Sequence, residues 1–235
     1  MQVIFIHGAC VRDGAWWWAR VAELLRAEGI GSVAADLPSC GEPAGNGRAG
    51  LAADVAEVRR LLAGAGPSVV IGHSYGGVVA TEAAAATGVA VRGLVYVTSF
   101  LPDVGESLAD LAGLAGGSPP PYLDFAPDGT FGVRPELAPD TFLHDCDAEA
   151  VEGALARLTR QSAAVQTEPV RHAAWRQLPS TYLLCADDRG TPPAVQRAQA
   201  ARATAVVELP TGHHPFLSHP GLVARAVLAA CRGDR

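Results

Sequence analysis

The residues best suited to chemistry lie in one stretch, Gly72-His73-Ser74-Tyr75-Gly76-Gly77, which ends the apolar run Ser68 to Gly72 and opens a segment of small residues. A serine hydroxyl attacks well only when a base takes its proton and donors receive the charge that develops on the carbonyl. The G-x-S-x-G spacing bears on the second need. A turn that joins a buried strand directly to a helix strains the backbone at the serine and brings the two elements close, which only small residues at Gly72 and Gly76 permit. Ser74 is thereby presented at a helix N-terminus, where unpaired N–H groups favour negative charge, and the Tyr75 N–H is placed to bond an oxyanion.

A second donor is expected from the loop after the first strand, in Ile4-Phe5-Ile6-His7-Gly8-Ala9-Cys10, where small residues let the backbone approach a substrate. The Ala9 N–H is the first choice and Cys10 the next. His7, at a strand end, reads as a structural hydrogen-bonder rather than a base.

The acid and the base should follow the nucleophile along the chain. Asp187 and Asp188 both come just after the strand-like run Thr181 to Cys185, before Thr191-Pro192-Pro193 ends the loop and starts a helix. His213 and His214 follow Gly212, which permits a turn that aims an imidazole back at the serine, yet adjacent residues cannot both point there. An imidazole titrates near neutrality, so it can take the Ser74 proton and return it to the leaving group. Asp103, after the run that precedes a long insertion, is an alternative acid by analogy of fold. His219 reads as a surface residue.

The elements that must position these groups alternate. Six short apolar runs read as buried strands: Val3 to Ile6, Ser32 to Ala35, Ser68 to Gly72, Gly93 to Thr98, Thr181 to Cys185 and Ala205 to Leu209. Helix-like stretches lie between and after them, at Trp16 to Glu28, Leu51 to Ala63, Gly76 to Ala86, Pro193 to Ala201 and Gly221 to Cys231. This rhythm predicts an α/β fold, a mostly parallel six-stranded sheet flanked by helices. It breaks after the fourth strand, over residues 101–178, where Gly116-Gly117-Ser118 and Pro119 to Pro121 precede a Pro-punctuated stretch and one helix-like segment, Ala148 to Thr159. The apolar residues there, among them Leu108, Leu114, Phe125 and Phe131, lack strand or helix periodicity over most of its length. We expect a lid inserted into a single domain spanning 1–235. The run Trp16-Trp17-Trp18 reads chiefly as packing, with a ligand role open for one of the three. Gly41 to Gly50 reads as a turn-rich loop.

Composition bounds the function. The 235 residues suit one α/β domain, and 49% are hydrophobic, enough to bury a core. The net charge is -6, and all 18 basic residues are arginines, scattered along the chain. Nothing there suits nucleic acid, and no apolar run is long enough for a membrane span. No signal-like start is seen, so a cytoplasmic protein is expected. The 5 cysteines are odd in number and without C-x-x-C spacing, so free thiols and no metal are the expectation.

His7-Gly8-Ala9-Cys10, Gly72-His73-Ser74-Tyr75-Gly76-Gly77, Ser99-Phe100-Leu101-Pro102 and Cys185-Ala186-Asp187-Asp188-Arg189 together resemble the methylesterase and hydroxynitrile lyase branch of the α/β-hydrolases and its bacterial relatives. The likeness spans nearly the whole chain. It implies Asp188 rather than Asp187 as the acid and His213 rather than His214 as the base. It further implies hydrolysis of a small, rather apolar carboxylic ester through an acyl-enzyme, with no cofactor. The arginine-only, Ala-rich composition suits a bacterial source.

This chain departs from the branch in ways that bear on substrate. The lyases depend on a lid lysine and a hydroxyl residue in the first oxyanion loop; here there is no lysine and the loop presents Ala9, which disfavours cyanohydrin cleavage. The loop Gly8 to Trp16 is longer by about one residue than is usual in the branch, with Val11-Arg12-Asp13-Gly14 inserted near the oxyanion site, and His214 stands where a smaller residue is usual. Selectivity is expected from Cys10, Phe100, Tyr122, Phe142, Trp175 and His214, with Tyr75 beside them. A lyase or cyclase using His213 as base, and a slow-turnover ligand-binding protein, remain open on the same residues. The expected partner is a small-molecule ester; a homodimer is compatible with the sequence.

Overall fold

The computed structural model describes residues 1–41, 49–85, 88, 90–113 and 119–233. The chain opens with β1 (Gln2–Ile6), α1 (Gly14–Ala27), β2 (Gly31–Ala35), α2 (Leu51–Ala63), β3 (Ser68–His73), α3 (Gly76–Ala83) and β4 (Val91–Val97). Next come α4 (Leu108–Leu111), β5 (Leu123–Phe125), β6 (Thr130–Val133), α5 (Ala138–Phe142), α6 (Ala148–Leu155) and β7 (Gln161–Ser162). The last part contains β8 (Ser180–Cys185), α7 (Pro193–Ala200), β9 (Ala205–Leu209), α8 (Pro215–Ser218) and α9 (Pro220–Arg232). The main sheet has the order β2-β1-β3-β4-β8-β9, and every pairing within it is parallel.

Its inner strands β1, β3, β4 and β8 are apolar at successive positions because both faces are covered. The edge strands β2 and β9, expected to be buried, are not: Val206 and Val207 of β9 are exposed because, among the described residues, no helix covers them. Val3 and Phe5 of β1, Val69 and Ile71 of β3, and Val95 and Val97 of β4 pack with Trp18, Val21 and Leu25 of α1 and Val223 and Val227 of α9. The alternating set, Ile4, Ile6, Val70, Leu94 and Tyr96, packs with Leu51, Val55, Val58 and Leu62 of α2 and with α3. The four α2 residues recur at three- and four-residue steps, one face of a helix; burying a side chain such as Val58 contributes about 1.5–3 kcal/mol. Trp18 stacks on Phe5 at 4.6 Å and meets Phe216 at 4.2 Å, so this member of the tryptophan run is core.

The six strands stand where the alternation places them, and two helix ends differ for local reasons. Helix α1 begins at Gly14 because its N–H donates to Asp36 at 2.7 Å; a Cβ there would lie 2.4 Å from the Ala35 carbonyl oxygen, so the tie to β2 demands glycine. Helix α6 ends at Leu155, short of the expected Thr159. The chain leaves it to bond the first loop, with Arg12 N–H donating to Arg157 O at 3.0 Å and Thr159 N–H to Cys10 O at 2.9 Å. The end of the stretch Gly76 to Ala86, Leu114, the run Gly116-Gly117-Ser118 and most of Gly41 to Gly50 lie outside the described residues.

Residues 101–178 contain more order than their periodicity suggested. Strands β5, β6 and β7 form a small antiparallel sheet, and β5 turns into β6 through Pro127-Asp128-Gly129, with Gly129 at φ 77. That Asp-Gly pair is a hairpin signal. Pairings of two to three residues are too short to show alternation, which is why the strands escape a pattern search. Among the described residues no helix is long and apolar enough to cross a membrane, and the five cysteines are free thiols.

Candidate active site

Strand β3 runs into α3 with Ser74 between them at φ 50, the left-handed region that a serine rarely adopts. The neighbouring glycines explain how the turn is tolerated. A Cβ on Gly72 would meet Gly76 O and Gly77 backbone atoms at 2.6 Å, and one on Gly76 would meet His7 O at 2.5 Å and Ile6 O at 2.7 Å. Strand, helix and first loop therefore touch only because both positions lack a side chain. The Ser74 carbonyl accepts from Ser99 Oγ and from Gly77 N–H, pinning the turn from the end of β4.

Asp188 follows β8 and is buried, and its carboxylate is fully occupied. Oδ1 accepts from the N–H groups of Gly190 and Thr191 at 2.8 and 2.9 Å. Oδ2 accepts from His213 Nδ1 at 2.8 Å, from Gln196 Nε2 at 3.1 Å and from the Thr98 hydroxyl. Burial by itself would raise this carboxyl's pKa, but the His213 charge and these donors outweigh it and hold the group below its ordinary value. An ionised Asp188 fixes His213 as the Nδ1–H tautomer, leaving the Nε2 lone pair to act as base. In this resting arrangement no hydrogen bond joins Ser74 Oγ to His213; both side chains line one pocket, and such contacts commonly tighten only on substrate binding.

The competing acids lie elsewhere. Asp187 is exposed, and Asp103 forms an ion pair with Arg176 that holds its carboxyl down at about 2, away from the histidines. His7 accepts from Leu37 N–H at 3.2 Å and bonds Gly8 O at 2.8 Å, a structural role. His219 is a half-exposed neighbour of Ser218.

The two expected oxyanion donors are available. Among the described residues no acceptor engages the N–H of Ala9 or Tyr75, whereas the Cys10 N–H is taken by Gln161 Oε1 at 3.0 Å, which removes Cys10 as a donor. A buried chain of bonds stands behind this loop. Gln161 Nε2 donates to Ser39 Oγ at 2.8 Å, Ser39 Oγ donates to Asp54 Oδ2 at 2.6 Å, and Tyr75 OH donates to the same Oδ2 at 2.7 Å. Burial raises the pKa of Asp54 and the same burial, with Asp54 beside it, raises that of Tyr75. The Cys10 backbone and the Tyr75 side chain thus hang on one network.

The pocket measures about 1160 Å³ including its mouth open to solvent. Of the residues expected to shape it, Cys10, Phe100, Tyr122, Phe142 and His214 line it, as do Ala9, Tyr75, Ser74 and His213. Trp175 does not: its Nε1–H donates to Pro102 O at 2.8 Å, its ring carries Arg176, and the short turn that holds it packs against α3. Phe142 packs 5.0 Å from the His213 ring and 4.9 Å from Tyr122, whose OH is tied to Gly190 O. Trp17 is the member of the tryptophan run that reaches the pocket, 5.1 Å from His214.

Three contributors were not visible in the sequence. Thr98, at φ 41, and Gln196 hold Asp188 but sit on β4's end and on α7, and Gln161 reaches in from β7. Only the positive φ of Thr98 marks it, and that is a property of the fold. His73, His213 and His214 offer nitrogen atoms within 4.8 Å of one another and could hold a transition metal. His73 is held well below its ordinary pKa by burial and His214 is pushed down to about 3 by burial and by His213, so both offer lone pairs. A cation there would occupy the lone pair that a proton-accepting His213 needs.

The profile described as "Alpha/beta hydrolase family" matches residues 3–226. A pyrethroid hydrolase of Sphingobium wenxiniae is 31% identical, covering 96% of this chain and 86% of that protein. Methylesterase 8 of Arabidopsis thaliana is 33% identical over 44% of this chain and 39% of its own. The crystal structure of a pyrethroid hydrolase from Sphingobium faniae superposes with a TM-score of 0.84 at 27% identity, covering 98% and 97% of the two chains.

Proposed function

The chain belongs to the alpha/beta hydrolase family, and from that premise we propose that it is a serine esterase of the methylesterase-like branch, cleaving a rather apolar carboxylic ester. The observation that carries this reading is the pairing of a strained Ser74 at the start of α3 with a His213 whose Nδ1 is held by a buried, ionised Asp188, both facing one largely apolar pocket.

In this reading Ser74 Oγ attacks the ester carbonyl while His213 Nε2 takes its proton, and the Ala9 and Tyr75 N–H groups receive the oxyanion. Collapse of the tetrahedral species breaks the bond to the alcohol oxygen, which leaves with the proton from His213. Water then enters, gives a proton to His213 Nε2 and attacks the acyl-enzyme; the second collapse returns the proton to Ser74 and frees the acid. Asp188 stays ionised throughout and stabilises the imidazolium. Residues 101–178 serve as the lid that supplies the apolar walls. The names of the relatives support ester cleavage, and a lining that among the described residues contains no Arg, Asp or Glu supports an apolar substrate.

Intact-protein mass spectrometry after incubation with a fluorophosphonate tests the reading. One adduct on the wild type, absent from Ser74→Ala and much slower in His213→Ala, is the expected result. An unlabelled wild type would sink it and return the lyase and ligand-binding readings to the front.

A further inference from the structure

Gln166 ends a 3-10 turn, Ala163–Gln166, that packs beside α4 in the insertion. Its residue surface is 93% covered, since 7% remains exposed, and what remains faces the pocket that holds Ser74. Leu108, Ala112, Leu123, Phe131 and Val133 are among the apolar residues that line the same pocket. Among the described residues its carboxamide has no hydrogen-bond partner, while the other buried glutamines, Gln161, Gln196 and Gln199, are all engaged. The polar atoms of Gln166 are not sealed off like the unpartnered Trp18 Nε1 or Ser162 Oγ but open into the pocket, so water meets them in the free protein and a ligand that displaces that water must supply the bond itself. A glutamine rather than leucine or methionine at this place thus selects what enters.

The lining also limits what that something is. Among the described residues no arginine, aspartate or glutamate lines the pocket, and its buried His7, His73 and His214 are held neutral. A charged group brought to Gln166 would lose its hydration without a counter-charge. A carboxamide has both a donor and an acceptor, which suits a neutral oxygen function.

We infer that Gln166 forms a polar subsite for an uncharged oxygen function, a ketone or hydroxyl, carried by the substrate at a distance from the scissile ester. The inference rests on the esterase reading for the name of the substrate class, a keto- or hydroxy-substituted apolar ester, but the subsite itself requires only binding.

Calorimetric titration of Ser74→Ala separates the two. The ligands are methyl esters of medium-chain acids with one ketone moved stepwise along the chain, against the unsubstituted parent. The expected result is a single ketone position that binds about 10- to 100-fold more tightly than its neighbours, with that ratio collapsing in Ser74→Ala/Gln166→Met. If the methionine variant does not fold, Gln166→Asn in the same background moves the preferred position, because the carboxamide is withdrawn by one methylene. Equal binding at every position, survival of the preference in Gln166→Met, or no binding of any ester overturns the subsite. A clear preference in a protein whose wild type hydrolyses none of these esters keeps the subsite and overturns the hydrolysis.

Discussion

The phenol of Tyr75 donates to the buried carboxylate of Asp54 at 2.7 Å, so the residue whose N–H we propose as an oxyanion donor is anchored on α2 rather than on its own helix. Asp54 also accepts from Ser39 N–H and Ser39 Oγ, and Ser39 accepts from Gln161, which holds the Cys10 N–H on the other side of the site. Tyr75→Phe removes one hydroxyl and keeps the ring. We expect kcat toward a chromogenic ester to fall about tenfold with KM little changed, because the donor is misplaced rather than removed. An equal rise in KM with kcat intact would assign the bond to ground-state binding instead.

Asp188→Asn leaves volume and shape in place but sets an amide N–H2 among groups that already donate, including Gly190 N–H, Thr191 N–H and Gln196 Nε2. The His213 tautomer is then no longer fixed. Steady-state kinetics should show kcat down by about three to four orders of magnitude, with a circular dichroism spectrum like that of the wild type. A loss of less than about tenfold would argue that Asp188 is structural.

Gly76→Ala places a Cβ within 2.5 Å of His7 O and 2.7 Å of Ile6 O, both backbone atoms that cannot rotate away. Urea unfolding should register a loss of about 2–3 kcal/mol, together with loss of activity as Ser74 shifts. Gly31→Ala is the matched control: nothing lies within 4 Å of its Cβ position, and we expect a change under about 0.5 kcal/mol.

His7, His73 and His214 are held neutral chiefly by burial, so their pKa values in the folded protein lie below the ordinary 6.5, at about 3 for His214. Unfolding lets each take a proton below its ordinary value. The unfolded chain therefore binds more protons through this window, and stability falls as pH is lowered, by up to about 1.4 kcal/mol per unit for each histidine. Asp188, shifted downward from 3.8, works at lower pH: its stabilisation is present above that value and is lost only as pH falls through the folded pKa. Urea midpoints measured at about pH 7, 6 and 5 should decline, and His214→Phe should reduce the slope by about one proton's worth. A flat profile would show that these imidazoles are not held neutral.

The main sheet and the nucleophile turn were legible because both are local. Strand runs such as Val3 to Ile6 and Val69 to Ile71 announce a sheet covered on both faces, and the glycines flanking Ser74 announce a turn that excludes side chains. The short strands β5 to β7 were not legible, since two- and three-residue pairings generate no period; only Asp128-Gly129 hinted at the hairpin. Trp175 was expected in the pocket on aromatic character, but its indole N–H needed an acceptor and found Pro102 O.

The sequence by itself determined the type and chain order of the groups to which we assign the chemistry, Ser74, Asp188 and His213, and the alternation of elements that carries them. Tertiary structure decided which neighbours complete them. Thr98, Gln196, Gln161 and Asp54 come from four separate elements or their ends, and each acts through a bond between residues 8 to 151 positions apart. Such bonds leave no spacing in the chain, because a buried polar group requires a partner near in space and is indifferent to where along the sequence that partner lies.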